Sequence, residues 1–121
     1  MDIRIEIDLS DLNFDIDKVE SAIEKELATT GYKIEGTAKE LAPIDTGILK
    51  GSITCQPDGL EVDVFTNVEY SVFMEYGTAP HMIGNRKHPG TRPYLYMSTA
   101  FDSHTEDLDV RIADIIGAIL W

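Results

Sequence analysis

The sequence predicts an α+β fold, a mostly antiparallel sheet with a long N-terminal helix and a long C-terminal helix packed on one face. Three observations carry this reading. Apolar and charged residues alternate with period two at 3–9 and 60–65, the mark of strands with one buried face. Apolar residues recur at helical spacing over 17–42 and again over 94–120. A Pro-Asp-Gly triplet at 57–59 separates two β-prone runs, 49–56 and 60–67.

The elements follow in order. The run Ile3-Arg4-Ile5-Glu6-Ile7-Asp8-Leu9 reads as an edge strand, because charges on its outward face discourage unwanted pairing. Residues 10–14 turn the chain. Val19, Ile23, Leu27, Ile34, Ala38 and Leu41 form the stripe of the long helix, which Asp17 and Glu20 suit at its start and Pro43 ends. Gly31 and Gly36 each cost such a helix about 1 kcal/mol against alanine, so a bend or a tight backbone contact is expected there.

After the hairpin, in which Leu60, Val62 and Val64 share the buried face, 68–76 reads as a short helix closed by Gly77. Residues 78–92 are rich in Pro and Gly without periodicity and read as a long loop. Pro93 opens the last helix, with a break expected near 103–105 and an apolar stripe of Leu108, Ile112, Ile115, Ile116 and Ile119.

The 121 residues suit one domain spanning 1–121, with no internal repeat and no low-complexity tract. A domain this small hides only about two thirds of the surface its unfolded chain exposes, so self-association is a natural way to cover more. No apolar run approaches the roughly 18 residues that span a bilayer, and the opening residues carry no basic leader. The chain is therefore expected to be made in the cytoplasm and to stay off membranes. Cys55 is the only cysteine, which excludes an intrachain disulfide and a cysteine metal cluster. A formal charge of −12 repels phosphate backbones and argues against tight nucleic-acid binding.

Three blocks carry a resemblance. The first is Ala38-Lys39-Glu40-Leu41-Ala42-Pro43-Ile44-Asp45-Thr46-Gly47-Ile48-Leu49-Lys50-Gly51-Ser52-Ile53, a helix end running into A-P-x-D-T-G-x-L-x-x-S-I. The second is Val68-Glu69-Tyr70-Ser71-Val72-Phe73-Met74-Glu75-Tyr76-Gly77-Thr78, and the third is Arg92-Pro93-Tyr94-Leu95. In this order and spacing they resemble the tail-completion, minor tail or head-tail joining proteins of long-tailed double-stranded-DNA phages.

The resemblance implies an α+β virion protein without cofactor. It implies a homo-oligomeric ring, commonly a hexamer, between the head connector and the tail tube or tail terminator. An isolated subunit can be monomeric, and a neighbouring head-closure or tail-terminator ring fits the same size and character. Pro43, Asp45, Thr46, Gly47, Glu69, Tyr70, Glu75, Gly77, Thr78 and Pro93 are then structural motif residues. Independently of the resemblance, Asp45 and Thr46 can accept from nearby backbone amides while Gly47 turns left-handed, which makes a corner between helix and strand.

The chemical candidates are thin. His81, His88 and His104 lack metal-ligand spacing, and Cys55 or Ser71 with His81 lacks a glycine-framed nucleophile turn. Glu69 and Glu75 read as two of many solvated acids, and Tyr70, Phe73 and Tyr76 as core or subunit contact. No enzyme is therefore expected; a small hydrolase using the histidine-bearing loop and an acidic nucleic-acid mimic are the alternatives from other classes. The charge map says more, since no acid occurs between Glu75 and Asp102 while Arg86, Lys87 and Arg92 fall there. His81, Arg86, Lys87, His88 and Arg92 thus mark a partner-binding loop, expected to reach an acidic surface on a neighbouring subunit or ring.

Overall fold

A computed structural model describes residues 1–10, 17–43 and 47–120. The order is β1 (Asp2–Glu6), α1 (Asp17–Leu41), α2 (Ile48–Ser52), β2 (Thr54–Asp58), β3 (Glu61–Phe65), α3 (Ser71–Tyr76), β4 (His81–Ile83), β5 (Arg86–His88), α4 (Tyr96–Thr105) and α5 (Leu108–Leu120). The fold is α+β, as its periodicities predict. The turn expected at 10–14 and the corner residues Asp45 and Thr46 lie outside the described residues, apart from Ser10.

β1, β3 and β2 form an antiparallel three-stranded sheet in that order. Ile3 and Ile5 of β1 pair with Val64 and Val62, which in turn pair with Cys55 and Pro57 of β2, so these residues share the apolar face. On the other face Arg4 bridges Glu61 at 2.7 Å, Asp63 at 3.6 Å and Asp2 at 3.9 Å. Those charges, Glu61 foremost, push the Arg4 guanidinium above its usual range. Burial, then the neighbouring Asp2, raises the Asp63 carboxyl.

α1 lies on the apolar face, with Val19, Ile23, Leu27, Ile34 and Ala38 fully buried. Burying each larger aliphatic side chain contributes about 1.5–3 kcal/mol. Gly31 is the point of closest approach: a Cβ there would stand 2.4 Å from Val62 Cγ2 and 2.8 Å from Cys55 Sγ. The tight contact expected of this glycine is present, whereas Gly36 has open space beside it.

α4 and α5 pack along α1. The expected break between them falls at Glu106-Asp107, and Arg111 secures it. Its guanidinium donates to His104 O at 2.5 Å, to Thr30 Oγ1 at 3.2 Å, to Asp107 Oδ1 at 3.0 Å and to Glu26 of α1. His104 itself pairs with Thr37 of α1 at 2.7 Å. One arginine therefore holds the ends of two helices against a third, which offsets the carbonyls left unpaired where α4 stops.

Four expectations need correction. The first β-prone run begins as a helical turn, 48–52, seeded by Gly47 at φ 78°, and the strand starts only at Thr54. Pro57 and Asp58 belong to β2, leaving Gly59-Leu60 as the turn, because Pro57 sits where β2 faces away from β3 and needs no N–H. The last helix opens at Tyr96 and not at Pro93, since Leu95 adopts a left-handed conformation with φ 49°. Residues 78–92 are not a structureless loop; they contain the β4–β5 hairpin, with His81, Met82 and Ile83 opposite His88, Lys87 and Arg86.

Candidate assembly interface

The segment between α3 and α4 is an arm held by a stapled base. At the base, Glu75 is fully buried, although its sequence context suggested a solvated acid. Its Oε2 accepts from the Met97 amide at 3.0 Å, and its Oε1 from the Ser98 amide at 2.8 Å and the Ser98 hydroxyl. A carboxylate from one helix thus caps the first turn of another, where the local chain offers no side-chain cap. The backbone repeats the staple: Tyr94 N donates to Met74 O at 2.9 Å and Leu95 N to Glu75 O at 3.1 Å.

Tyr96 completes the base, its hydroxyl donating to Ser71 O at 2.8 Å inside the core. Burial, reinforced by the Glu75 charge, pushes the Tyr96 phenol up to about 12.

Above the base, Thr78 and Thr91 exchange backbone hydrogen bonds at 2.8 and 3.0 Å. Two glycines let the chains meet there. A Cβ on Gly77 would stand 2.6 Å from Thr91 O, and one on Gly90 would stand 2.4 Å from Thr78 O; both residues also take positive φ. The motif residues Glu75, Gly77 and Thr78 meet Pro93, from the far end of the arm, at this stem.

Beyond the stem the hairpin stands clear of the body. Residues 81–87 are all exposed, and β4 and β5 pack on each other and on no other element to a comparable extent. Gly84-Asn85 makes the two-residue turn, with Gly84 at φ 61°. His81 and His88 stack with ring centroids 4.8 Å apart. Each ring also binds the local backbone, His81 Nδ1 to Ala79 O and His88 Nδ1 accepting from Gly90 N. Arg86 and Lys87 project from β5, and Arg92 lies over the Tyr94 ring at 5.4 Å.

Large apolar side chains are exposed on both the arm and its base. Phe73 and Tyr76 of α3 are 55% and 65% exposed, and Met82 and Ile83 at the tip 61% and 59%. Tyr70, at the start of α3, and Val72 and Leu95 are also exposed, so the aromatic set is not core; Ser71 and Glu75 form the buried side of α3, with Met74 half-buried beside them. Glu69 is exposed, and Pro43 is half-buried just past the end of α1.

The chemical candidates are not brought together. Cys55 is buried, and desolvation, with Glu35 and Asp63 nearby, pushes its thiol up to about 11, which suppresses the thiolate. Among the described residues neither Cys55 nor Ser71 hydrogen-bonds to His81, and no three His, Cys, Asp or Glu form a metal-holding group. Among the described residues no helix is long and apolar enough to cross a membrane.

The arm thus presents exposed apolar and basic side chains beside an otherwise acidic body. A family model described as "Bacteriophage HK97-gp10, putative tail-component" matches residues 11–77, more than half of the chain. The chain belongs to this phage tail-component family. No curated protein and no solved structure matches it. Two of the three sequence blocks fall within the family match up to Gly77, while the arm, α4 and α5 follow it. The resemblance to tail-completion and head-tail joining proteins is thereby borne out at the level of the family.

Proposed function

We propose that this protein is a non-enzymatic virion component that acts as one domain and assembles as a ring at the head-tail junction, where it completes or joins the tail. The observation that carries the reading is the stapled arm. A stem rigid enough to need two positive-φ glycines holds out a hairpin whose apolar tip has nothing to bury against in its own subunit. An isolated two-stranded hairpin is marginally stable in water, so an ordered one of this kind is suited to being completed by a partner.

The arm and the surface it meets are different patches, and a contact of that type repeats head to tail until it closes into a ring. Arg86, Lys87 and Arg92 meet the acidic surface of a neighbouring copy, which sets register more than affinity. A head connector on one side and a tail tube or terminator on the other complete the set of partners.

Electron microscopy of particles made without the chain tests the proposal. The expected result is filled heads and separate tails that fail to unite. Normal infectious particles would overturn it, and heads that leak their DNA would move the ring to the head-closure level.

A further inference from the structure

The two edges of the three-stranded sheet are not equivalent. Ile7 N donates to Leu60 O and Thr66 N to Met1 O, so the odd-numbered residues of β1 carry its ladder with β3. Antiparallel ladders alternate, which turns the backbone groups of Asp2, Arg4 and Glu6 away from the sheet. By the same alternation, Cys55 and Pro57 turn their backbones outward on β2. That edge is closed: the Cys55 amide donates to Glu35 Oε1 at 3.1 Å, and proline has no N–H.

β1 has no such cover. Among the described residues, none of the three outward amides of Asp2, Arg4 and Glu6 has a hydrogen-bond partner. Two clefts flank the strand where the helices pass it. The lining of one includes Met1, Ile3, Tyr76, Met97 and Phe101, and that of the other mixes Ile5, Ile7, Leu108 and Ile112 with Glu6 and Glu106. On the polar face Asp2 and Glu6 of β1 stand next to Glu61 and Asp63 of β3, four carboxylates around the cation Arg4, which leaves the edge net acidic. An open strand edge, apolar clefts beside it and acids along it make one surface.

We propose that the arm of one copy adds to this free β1 edge of a second copy, carrying the three-stranded sheet on into the β4–β5 hairpin across the subunit boundary. The inference rests on the ring reading and names the surface that receives the arm. The five residue steps from the stem at Thr78 to Ile83 give the arm a reach of up to about 17 Å at roughly 3.3 Å per residue, and its residues 81–87 are exposed. Its backbone supplies strand hydrogen bonds; Met82 and Lys87 share one face of the hairpin and Ile83 and Arg86 the other, so one apolar side chain turns to the clefts while a cation on the opposite face turns to the acids. The closed β2 edge leaves a single address for the arm, so the contact has one polarity.

The test uses the full chain bearing Glu6→Cys or Lys87→Cys, mixed at low salt under mild oxidation, with disulfide-linked species read by mass. Native Cys55 is buried and stays out of the exchange. The expected result is a mixed Glu6→Cys/Lys87→Cys dimer and no homodimer of either variant. Homodimers of Glu6→Cys would mean β1 pairing with β1, homodimers of Lys87→Cys would mean arm pairing with arm, and each would overturn the proposal.

A second pair isolates the backbone bond. Arg4→Pro removes an outward amide without touching the β1–β3 ladder, while Arg4→Ala keeps the amide and loses only the ion pairs. Cross-linking falls by about tenfold in the first relative to the second if the strand is added; equal yields overturn strand addition. Oligomers that form without the mixed cross-link overturn this surface and leave the ring reading standing. A chain that stays single both at high concentration and in assembled particles overturns both.

Discussion

At Gly31 the backbone of α1 lies close enough to the sheet that a single methyl group has no room. Gly31→Ala is expected to cost about 1–3 kcal/mol, because Val62 and Cys55 belong to a packed core and cannot both retreat; a chemical-denaturation midpoint checks this, and Gly36→Ala, with open space beside it, serves as the stabilising counterpart. Glu75 makes a different demand. Glu75→Gln replaces an acceptor facing three donors with a group that can satisfy only part of them, so a loss of about 1–3 kcal/mol is expected, with faster amide exchange at Met97 and Ser98 as the local signature. Alkaline pH probes the same base. The Tyr96 phenol rises in the folded chain from 10.0 to about 12, so its contribution is complete below pH 10 and is lost as pH climbs towards 12. Cys55, raised from 9.0 to about 11, adds a loss that begins lower. Thermal melts should therefore fall steadily above pH 9, and Tyr96→Phe should flatten the part of the slope above pH 10.

The proposed function rests on the hairpin arm, and its charge can be tested without disturbing the core. Arg86→Glu with Lys87→Glu is expected to abolish self-association at low salt while leaving the melting temperature unchanged, since both side chains are exposed; unchanged association, read by sedimentation, would discard an electrostatic role for the arm. This element was the part of the fold least legible in the sequence. Strands of three residues leave too little alternation to detect among prolines and glycines, although the Gly84-Asn85 pair is a hairpin signal in its own right. The long helices and β3 were legible because their apolar spacing is sustained over several turns or pleats. Residues 49–52 misled because Leu49 and Ile53 are buried from a helical turn as well as they would be from a strand. The basic, acid-free character of 76–101 was legible, and the exposed hairpin falls inside that window. Nothing in the sequence around Glu75 reveals the cap it makes, because its partners, Met97 and Ser98, lie on an element whose docking is set by tertiary packing.

Taken as a whole, the molecule separates its charges: an acidic body, with Arg4 embedded among acids on the sheet face, and a basic arm. With a net charge of −12, the assembled ring is expected not to hold duplex DNA at physiological salt, so that a phosphate backbone passes without sticking; submicromolar retention of duplex in a filter or gel assay would contradict this. In the proposed assembly the arm that projects and the edge that receives it would give each subunit two unlike contacts, the arrangement by which head-to-tail repetition closes a ring. The most direct measurement is a reconstruction of the head-tail junction of intact particles in which this chain is located and its copies counted. The account predicts several copies arranged around the particle axis between the portal side and the tube, each with residues 78–92 lying on the next copy. A single copy, or a position away from that axis with the arms free, would contradict it.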